Sequence, residues 1–334
     1  MKYDTLFEAI KVSVSIRRPL LISGPPGIGK TQVVQQVADD LGIGCIVVHM
    51  PVMLVEDFGI PDISSAKENG HLTYTTPWWW PDVERHGERG ILLFDDRNQA
   101  DHSLQKVLAN IIEARILHGK KLPDGWAVIS TGNRREDRAG AVRVLSHLAN
   151  RETELTLDVD VPQWQAWAMS KGIDHRLVGF FGFRPHLLCD FDPDRDRNPT
   201  PRAWEAVGRM MENIGHDSPI FFDLVAGTVG EGAATELLAF VSLHEELPDV
   251  SRIVKGEDVV VDTSKMSVMY AATSAIAAMT ETEDHMSNCF KWLKATGRKE
   301  FEIVYARLVT SANSKLAATG AFTHWVVENN EAFK

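Results

Sequence analysis

Residues 24–31 read Gly-Pro-Pro-Gly-Ile-Gly-Lys-Thr, and few eight-residue stretches restrict a chain as tightly. The pattern is G-x-x-x-x-G-K-[ST], a loop that wraps the phosphates of a nucleoside triphosphate. Gly24, Gly27 and Gly29 lack Cβ, so the backbone reaches left-handed angles and turns its N–H groups inward on an anion. Lys30 sets a cation on the β and γ phosphates, and the Thr31 hydroxyl is a ligand for Mg2+. The loop needs a strand before it and a helix after it. Pro19-Leu-Leu-Ile-Ser23 is a short apolar run, and residues 30–41 carry Val33, Val34, Val37 and Leu41 on one face. That predicts a strand, then a helix whose N-terminus points at the phosphates. The expected nucleotide-binding set is Gly24, Pro25, Pro26, Gly27, Ile28, Gly29, Lys30, Thr31 and Gln32, with ATP and Mg2+ as cofactors.

Around this loop the chain reads as parallel α/β. An amphipathic helix over 3–16 precedes it, with Phe7, Ile10 and Val14 on one side. Residues 45–50 are a near-continuous, β-branched run, predicting a buried parallel strand. Residues 51–82 are irregular and include Pro77-Trp-Trp-Trp-Pro81. So long a segment in a compact domain is usually functional or mobile, and the tryptophans read as core beneath a loop rather than as a contact surface. Residues 91–96 predict a buried strand ending in two acids, followed by a helix with Leu104, Val107, Leu108, Ile111 and Ile112 on one face. Residues 119–125 predict a hairpin tip, and 126–131 a strand running into Gly132 and Asn133. A helix through Val142, Leu145 and Leu148 is expected to end at Arg151. Alternation over 152–161 predicts a fifth strand. From Pro162 the pattern is helical, with an acidic loop at 190–198 and a helix opening at Thr200-Pro-Arg, where Pro201 suits the first turn. Met286, Cys289, Phe290 and Leu293 share one helical face, as do Phe301, Val304 and Leu308. The expected domains are 1–161 and 162–334.

A chain of 334 residues is long enough for about two domains. Its net charge of −11 argues against a broad binder of nucleic-acid backbones. Cys45, Cys189 and Cys289 have neither paired nor zinc spacing, which suits a reducing compartment. His186 and Cys189 read as packing rather than as metal ligands. No window holds the roughly 18 consecutive apolar residues of a membrane span, and the N-terminus lacks a signal pattern. The expectation is a soluble, cytoplasmic protein.

The remaining chemistry sits at strand ends, where ligands bind in open α/β sheets. Asp95 is placed to hold the Mg2+ that Thr31 also touches, and Asp96 to orient or deprotonate a water for attack on the γ-phosphate. Asn133 ends the next strand and would face the same crevice, where an amide positions the water or contacts the γ-phosphate. Arg151, between a helix and the fifth strand, could reach a neighbour's nucleotide. Arg202 opens a helix of the second domain and could close on the nucleotide from above. A guanidinium meeting the γ-phosphate in the transition state is worth about 10³–10⁵ in rate.

This ordered set resembles the MoxR-like branch of the AAA+ ATPases. Gly-Pro-Pro-Gly-Ile-Gly-Lys-Thr is typical of that superfamily. Leu92-Leu-Phe-Asp-Asp-Arg-Asn-Gln-Ala100 looks like its acidic strand and Asn-x-Ala segment, and Lys121-Leu-Pro-Asp-Gly-Trp-Ala-Val-Ile-Ser-Thr-Gly-Asn133 like its hairpin, strand and sensor-1 Asn. Leu148-Ala-Asn-Arg151 matches the arginine-finger position, and Pro199-Thr-Pro-Arg-Ala-Trp-Glu205 is similar to the sensor-2 segment. The match runs over residues 20–207. The resemblance implies an AAA+ P-loop fold: a parallel five-stranded sheet flanked by helices, followed by an α-helical lid and C-terminal region. It implies a homo-oligomeric ring, commonly a hexamer, with nucleotide between subunits, Arg151 acting in trans, and 51–82 as the helix-2 insertion. It also implies hydrolysis coupled to remodelling or activation of a protein partner, often one with a von Willebrand factor A domain, which would be a separate chain here. One residue departs: the family usually has Glu where this chain has Asp96. The shorter acid opens a second reading, a nucleotide-gated scaffold that hydrolyses weakly. A DNA-associated motor fits the acidic composition less well, and a small-molecule kinase would not need both arginines.

Overall fold

The computed structural model describes residues 1–64, 67, 70–134, 150–245 and 247–329. It falls into two compact units, Met1–Val159 with Phe191–Pro193, and Asp160–Asp190 with Asp194–Lys334.

The first unit is built on five parallel strands: β1 (Leu20–Ser23), β2 (Gly44–His49), β3 (Gly90–Asp95), β4 (Trp126–Gly132) and β5 (Thr153–Thr156). Their order is β2-β3-β4-β1-β5, a five-stranded parallel sheet with flanking helices, as the sequence predicts. β3 and β4 lie inside the sheet and are buried along their whole length. Because successive strand side chains point to opposite faces, each face has its own core. Ile91, Leu93, Ala127 and Ile129 pack with α1 (Tyr3–Ile16) and α2 (Lys30–Leu41) through Leu6, Ile10, Val33, Val34 and Val37. Leu92, Phe94 and Val128 face α3 (His102–Ala114) and the tryptophans of the insertion. β2 was expected to be buried, but it is an edge strand and only Val48 in it is fully covered.

Two of the three consecutive tryptophans are core. Trp79 is 0% exposed, edge-on to Phe58 and Phe94, and its indole N–H donates to the Asp57 carbonyl at 3.0 Å. Trp80 is buried beside it, while Trp78 is 67% exposed. A short antiparallel ribbon, Pro61–Asp62 with Thr73–Tyr74, braces the segment.

Two other expectations need correction. The hairpin is Ile116–Leu117 paired with Lys120–Lys121, so its tip is His118-Gly119 rather than 119–125. Both tip residues have positive φ, 48° and 82°, as a two-residue turn matched to strand twist requires. The fifth strand stops at Thr156 instead of continuing to Val161. Asp160 caps the next helix, accepting from the Gln163 N–H at 3.1 Å, so Val161 is already helical. The expected helix through Val142, Leu145 and Leu148 lies outside the described residues.

Trp126 opens β4 with its indole N–H on the Gly87 carbonyl at 3.1 Å. Its ring lies so close to Gly90 that a Cβ there would come within 2.6 Å of it. A Cβ on Gly44 would stand 3.3 Å from the same ring.

The elements of the second unit are helical: α4 (Val161–Ser170), α5 (His175–Phe183), α6 (Pro201–Ile214), α7 (Phe221–Val229), α8 (Glu231–Glu245), α9 (Met266–Met279), α10 (Glu283–Ala295), α11 (Lys299–Ala312) and α12 (Gly320–Glu328). An aromatic chain joins α4, α5 and α6, with Trp164, Phe181 and Trp204 in ring contact at 4.9 and 5.1 Å. Met286, Cys289, Phe290 and Leu293 form the buried face of α10, as their spacing predicts. Among the described residues, no helix is long and apolar enough to cross a membrane.

Candidate nucleotide site

Local geometry explains the glycines of the loop leaving β1. Gly27 and Gly29 have φ of 72° and 93°, a region that L side chains enter at a cost of about 1–2 kcal/mol. Gly24 serves close approach: a Cβ there would meet the Leu157 carbonyl oxygen at 2.8 Å and Ile28 Cδ1 at 2.7 Å. The loop is thus pressed against the chain leaving β5. Gly29 is the N-cap of α2 and no side chain caps that terminus, so its positive dipole end opens onto the loop.

Four of the expected site residues converge. Lys30 is 6% exposed. Its ammonium donates to the Gly24 carbonyl at 3.0 Å, the Pro25 carbonyl at 2.9 Å and Asn133 Oδ1 at 2.9 Å. The Thr31 hydroxyl donates to Asp95 Oδ1 at 2.5 Å. The end of β1 with its loop, the end of β3 and the end of β4 therefore meet at one edge of the sheet. A buried cation, a hydroxyl–carboxylate pair and an uncapped helix terminus form a donor set that fits a polyphosphate with a divalent ion.

The residues around these four set their geometry, and most of them escape motif reading. Thr131 is fully buried. Its hydroxyl donates to Asp95 Oδ1 at 2.6 Å and accepts from the Asp96 N–H at 2.9 Å. Asp96 itself lies just past β3 with φ 50°, an uncommon conformation for a non-glycine residue. Asn98 grips Asn133 on both sides: its amide donates to the Asn133 carbonyl at 2.6 Å, and its oxygen accepts from the Asn133 N–H at 3.1 Å. That leaves the Asn133 side chain directed at Lys30. His49, paired in register with Asp95 across β2 and β3, puts Nδ1 3.1 Å from Asp95 Oδ2. The signal for His49 was its place at the polar end of the second strand, level with the acid that ends the third.

Arg151 sits elsewhere in the same unit. Arg151 is on the approach to the N-terminal end of β5, whereas the loop leaves the C-terminal end of β1, its parallel neighbour. Arg151 is therefore at the opposite end of the sheet from the loop of its own chain, and its guanidinium pairs with Glu113 at the end of α3. Arg202 belongs to the second unit, exposed in the first turn of α6, whose N-cap Thr200 accepts from the Ala203 N–H at 3.2 Å.

No family model matches the chain. A 181-residue stretch, 50% of the chain, is 24% identical to Midasin of Giardia intestinalis, and the match spans 4% of that protein. Among solved structures, NtrX from Brucella abortus in complex with ATP is similar at 14% identity and a TM-score of 0.42, over 92% of this chain and 67% of that one. The RuvB Holliday junction branch migration motor of Thermotoga maritima is similar at 14% and 0.37, over 76% and 74%. A putative ATPase from Cytophaga hutchinsonii aligns at 13% and 0.36, over 98% and 88%.

Proposed function

We propose that this chain is a MoxR-like AAA+ ATPase that forms a homo-oligomeric ring, commonly a hexamer, and couples ATP binding and hydrolysis to remodelling or activation of a separate protein partner. The observation that carries the ATPase reading is the convergence of Lys30, Thr31, Asp95 and Asn133 at the loop. ATP would lie along residues 24–32, and Mg2+ would be held by Thr31 and Asp95. The metal supplies charge neutralisation on the phosphates. Lys30 brings a desolvated cation, stronger there than in water. Thr131 and Asp95 hold the backbone from which Asp96 projects, and Asp96 orients or deprotonates the attacking water. Asn133, fixed by Asn98, aligns Lys30 and the water. Arg151, remote from the loop of its own chain, serves a neighbour's nucleotide, and Arg202 acts as the sensor-2 arginine.

The partner assignment rests on the family resemblance of the motifs, which also suggests a von Willebrand factor A domain in that partner. Hydrolysis should vanish in Lys30→Ala, and the mass in solution should rise with ATP and Mg2+. A protein that stays monomeric at saturating ATP, with Arg151→Ala leaving turnover untouched, would sink the trans-acting assignment.

Asp96 favours a second reading, a nucleotide-gated scaffold with slow turnover. Aspartate is one methylene shorter than the usual glutamate, and about 1 Å of misplacement costs roughly 100-fold in rate. On that reading Asp96→Glu raises turnover sharply while ATP affinity holds.

A further inference from the structure

Arg97 directly follows Asp96, and Glu152 directly follows Arg151. Their side chains form a two-pronged ion pair, Nη1–Oε2 at 2.6 Å and Nη2–Oε1 at 2.8 Å. Both are almost completely buried, at 3% and 4% side-chain exposure. Arg97 starts beyond the C-terminal end of β3, lies 3.4 Å from Ser130 Oγ on β4, and ends on the residue before β5. The backbone of the same segment is held by Arg18, which donates to the carbonyls of Asn150 at 3.1 Å and Glu152 at 3.3 Å. Arg151 thus stands on a stretch gripped through its backbone by one arginine and through a side chain by another, yet its own guanidinium is about half exposed.

A buried ion pair is a poor device for stability, because apolar residues of similar volume usually do as well or better. What this geometry supplies is orientation, since the planar fork of arginine fixes a carboxylate in angle as well as distance. We propose that Arg97 and Glu152 are positioning residues for Arg151. They tie the finger offered to a neighbouring subunit to the backbone that carries this chain's own Asp96. The inference rests on Arg151 acting in trans, so the test must separate the two.

Mixed assemblies do this. Lys30→Ala chains cannot turn over but keep Arg151, and Arg151→Ala chains keep their own loop but lack the finger. If the finger acts in trans, mixing the two inactive proteins restores hydrolysis; if it does not, no activity returns and the finger reading itself fails. The pair is then altered only in the finger-donating chain, as Lys30→Ala/Arg97→Met/Glu152→Met, or with Arg97→Lys, which keeps the charge but not the fork. Incorporation of the donor is measured by native mass. With the methionine pair the restored kcat should fall by about 100-fold, the loss expected for roughly 1 Å of misplacement. The KM for ATP, set by the intact loop of the accepting chain, should stay within about threefold, and the lysine variant should lie between. Restored turnover unchanged by either donor variant overturns the proposal. So does failure of every donor variant to enter the assembly, which would assign the pair to stability alone.

Discussion

Thr131→Val removes one hydroxyl from the middle of the site while keeping a β-branched side chain of similar volume in β4. That hydroxyl makes two hydrogen bonds, donating to Asp95 Oδ1 at 2.6 Å and accepting from the Asp96 N–H at 2.9 Å. A hydrogen bond to a charged group contributes about 1.5–3 kcal/mol, and a buried N–H left without an acceptor costs about 1–3 kcal/mol. The two are not additive, and about 3 kcal/mol is a fair figure for the support lost by the Asp96 conformer. Asp96 sits at φ 50°, a left-handed conformation that aspartate tolerates better than most L-residues but that is still uncommon, so the conformer relaxes once that support is gone. Three kcal/mol corresponds to roughly 100-fold in population, at about 1.4 kcal/mol per tenfold. Steady-state ATP turnover by Thr131→Val should therefore drop on the order of 100-fold. Binding of a fluorescent ATP analogue in the absence of Mg2+ should change little, because Lys30 and the loop are untouched. Thr131→Ser keeps the hydroxyl and should turn over near the parent rate. A valine variant within twofold of the parent would refute this account of how Asp96 is held.

Asn98→Ala should cost about tenfold in turnover with ATP affinity retained, since it frees Asn133 from both backbone hydrogen bonds; equal loss of affinity would show that Asn98 supports the whole loop. Burial and the nearby Asp39 charge push the Cys45 thiol up to about 11. Its alkylation by iodoacetamide at pH 8 should run roughly 100-fold slower than that of a free thiol, and rapid labelling would contradict that environment. Burial holds the His175 pKa below its usual value, with Arg176 adding to the effect and Asp174 opposing it. The unfolded chain therefore binds a proton that the folded chain resists. His175 then contributes full stability above about pH 6.5, and this is lost as the pH falls through that value toward the folded pKa. Urea midpoints should decline over that window, and His175→Asn should flatten the decline. Asp174 is shifted too: burial pushes its carboxyl up, but hydrogen bonds from the Arg176 side chain and backbone outweigh it and lower the pKa. Its contribution is present above about pH 3.9 and is lost as the pH falls below that value toward the folded pKa.

What could be read from the chain alone follows from how local each signal is. Helix α2 begins at Lys30 and ends at Leu41 as expected, because its valine stripe and its glycine N-cap and C-cap are all local. The meeting of Lys30, Thr31, Asp95 and Asn133 was legible for a different reason: each ends or follows a buried strand, and a parallel sheet brings such ends to one edge. The partial cover of β2 was not legible, since its apolar run is what an inner strand would also show. Nor was the early end of β5, where alternation continues through Leu157 and Val159 but Asp160 caps a helix. Thr131, Asn98 and the Arg97–Glu152 pair were invisible as site elements because their roles exist only between strands. Glu152 lies 55 residues from Arg97, and no spacing rule joins them.

The fit of Trp126 over Gly90 and Gly44 carries a consequence for how sequences of this kind can change. Any side chain at Gly90 would overlap the indole, with a Cβ only 2.6 Å away, and crowding of a packed core costs about 1–3 kcal/mol. Shrinking Trp126 alone leaves a hole, at about 3–5 kcal/mol for removal of a buried tryptophan side chain. Each single step descends, while a larger residue at 90 matched by a smaller one at 126 keeps the volume filled. Relatives of this chain should therefore exchange bulk between those two positions together, and a library varied at both at once should recover folded combinations that neither single-site library contains.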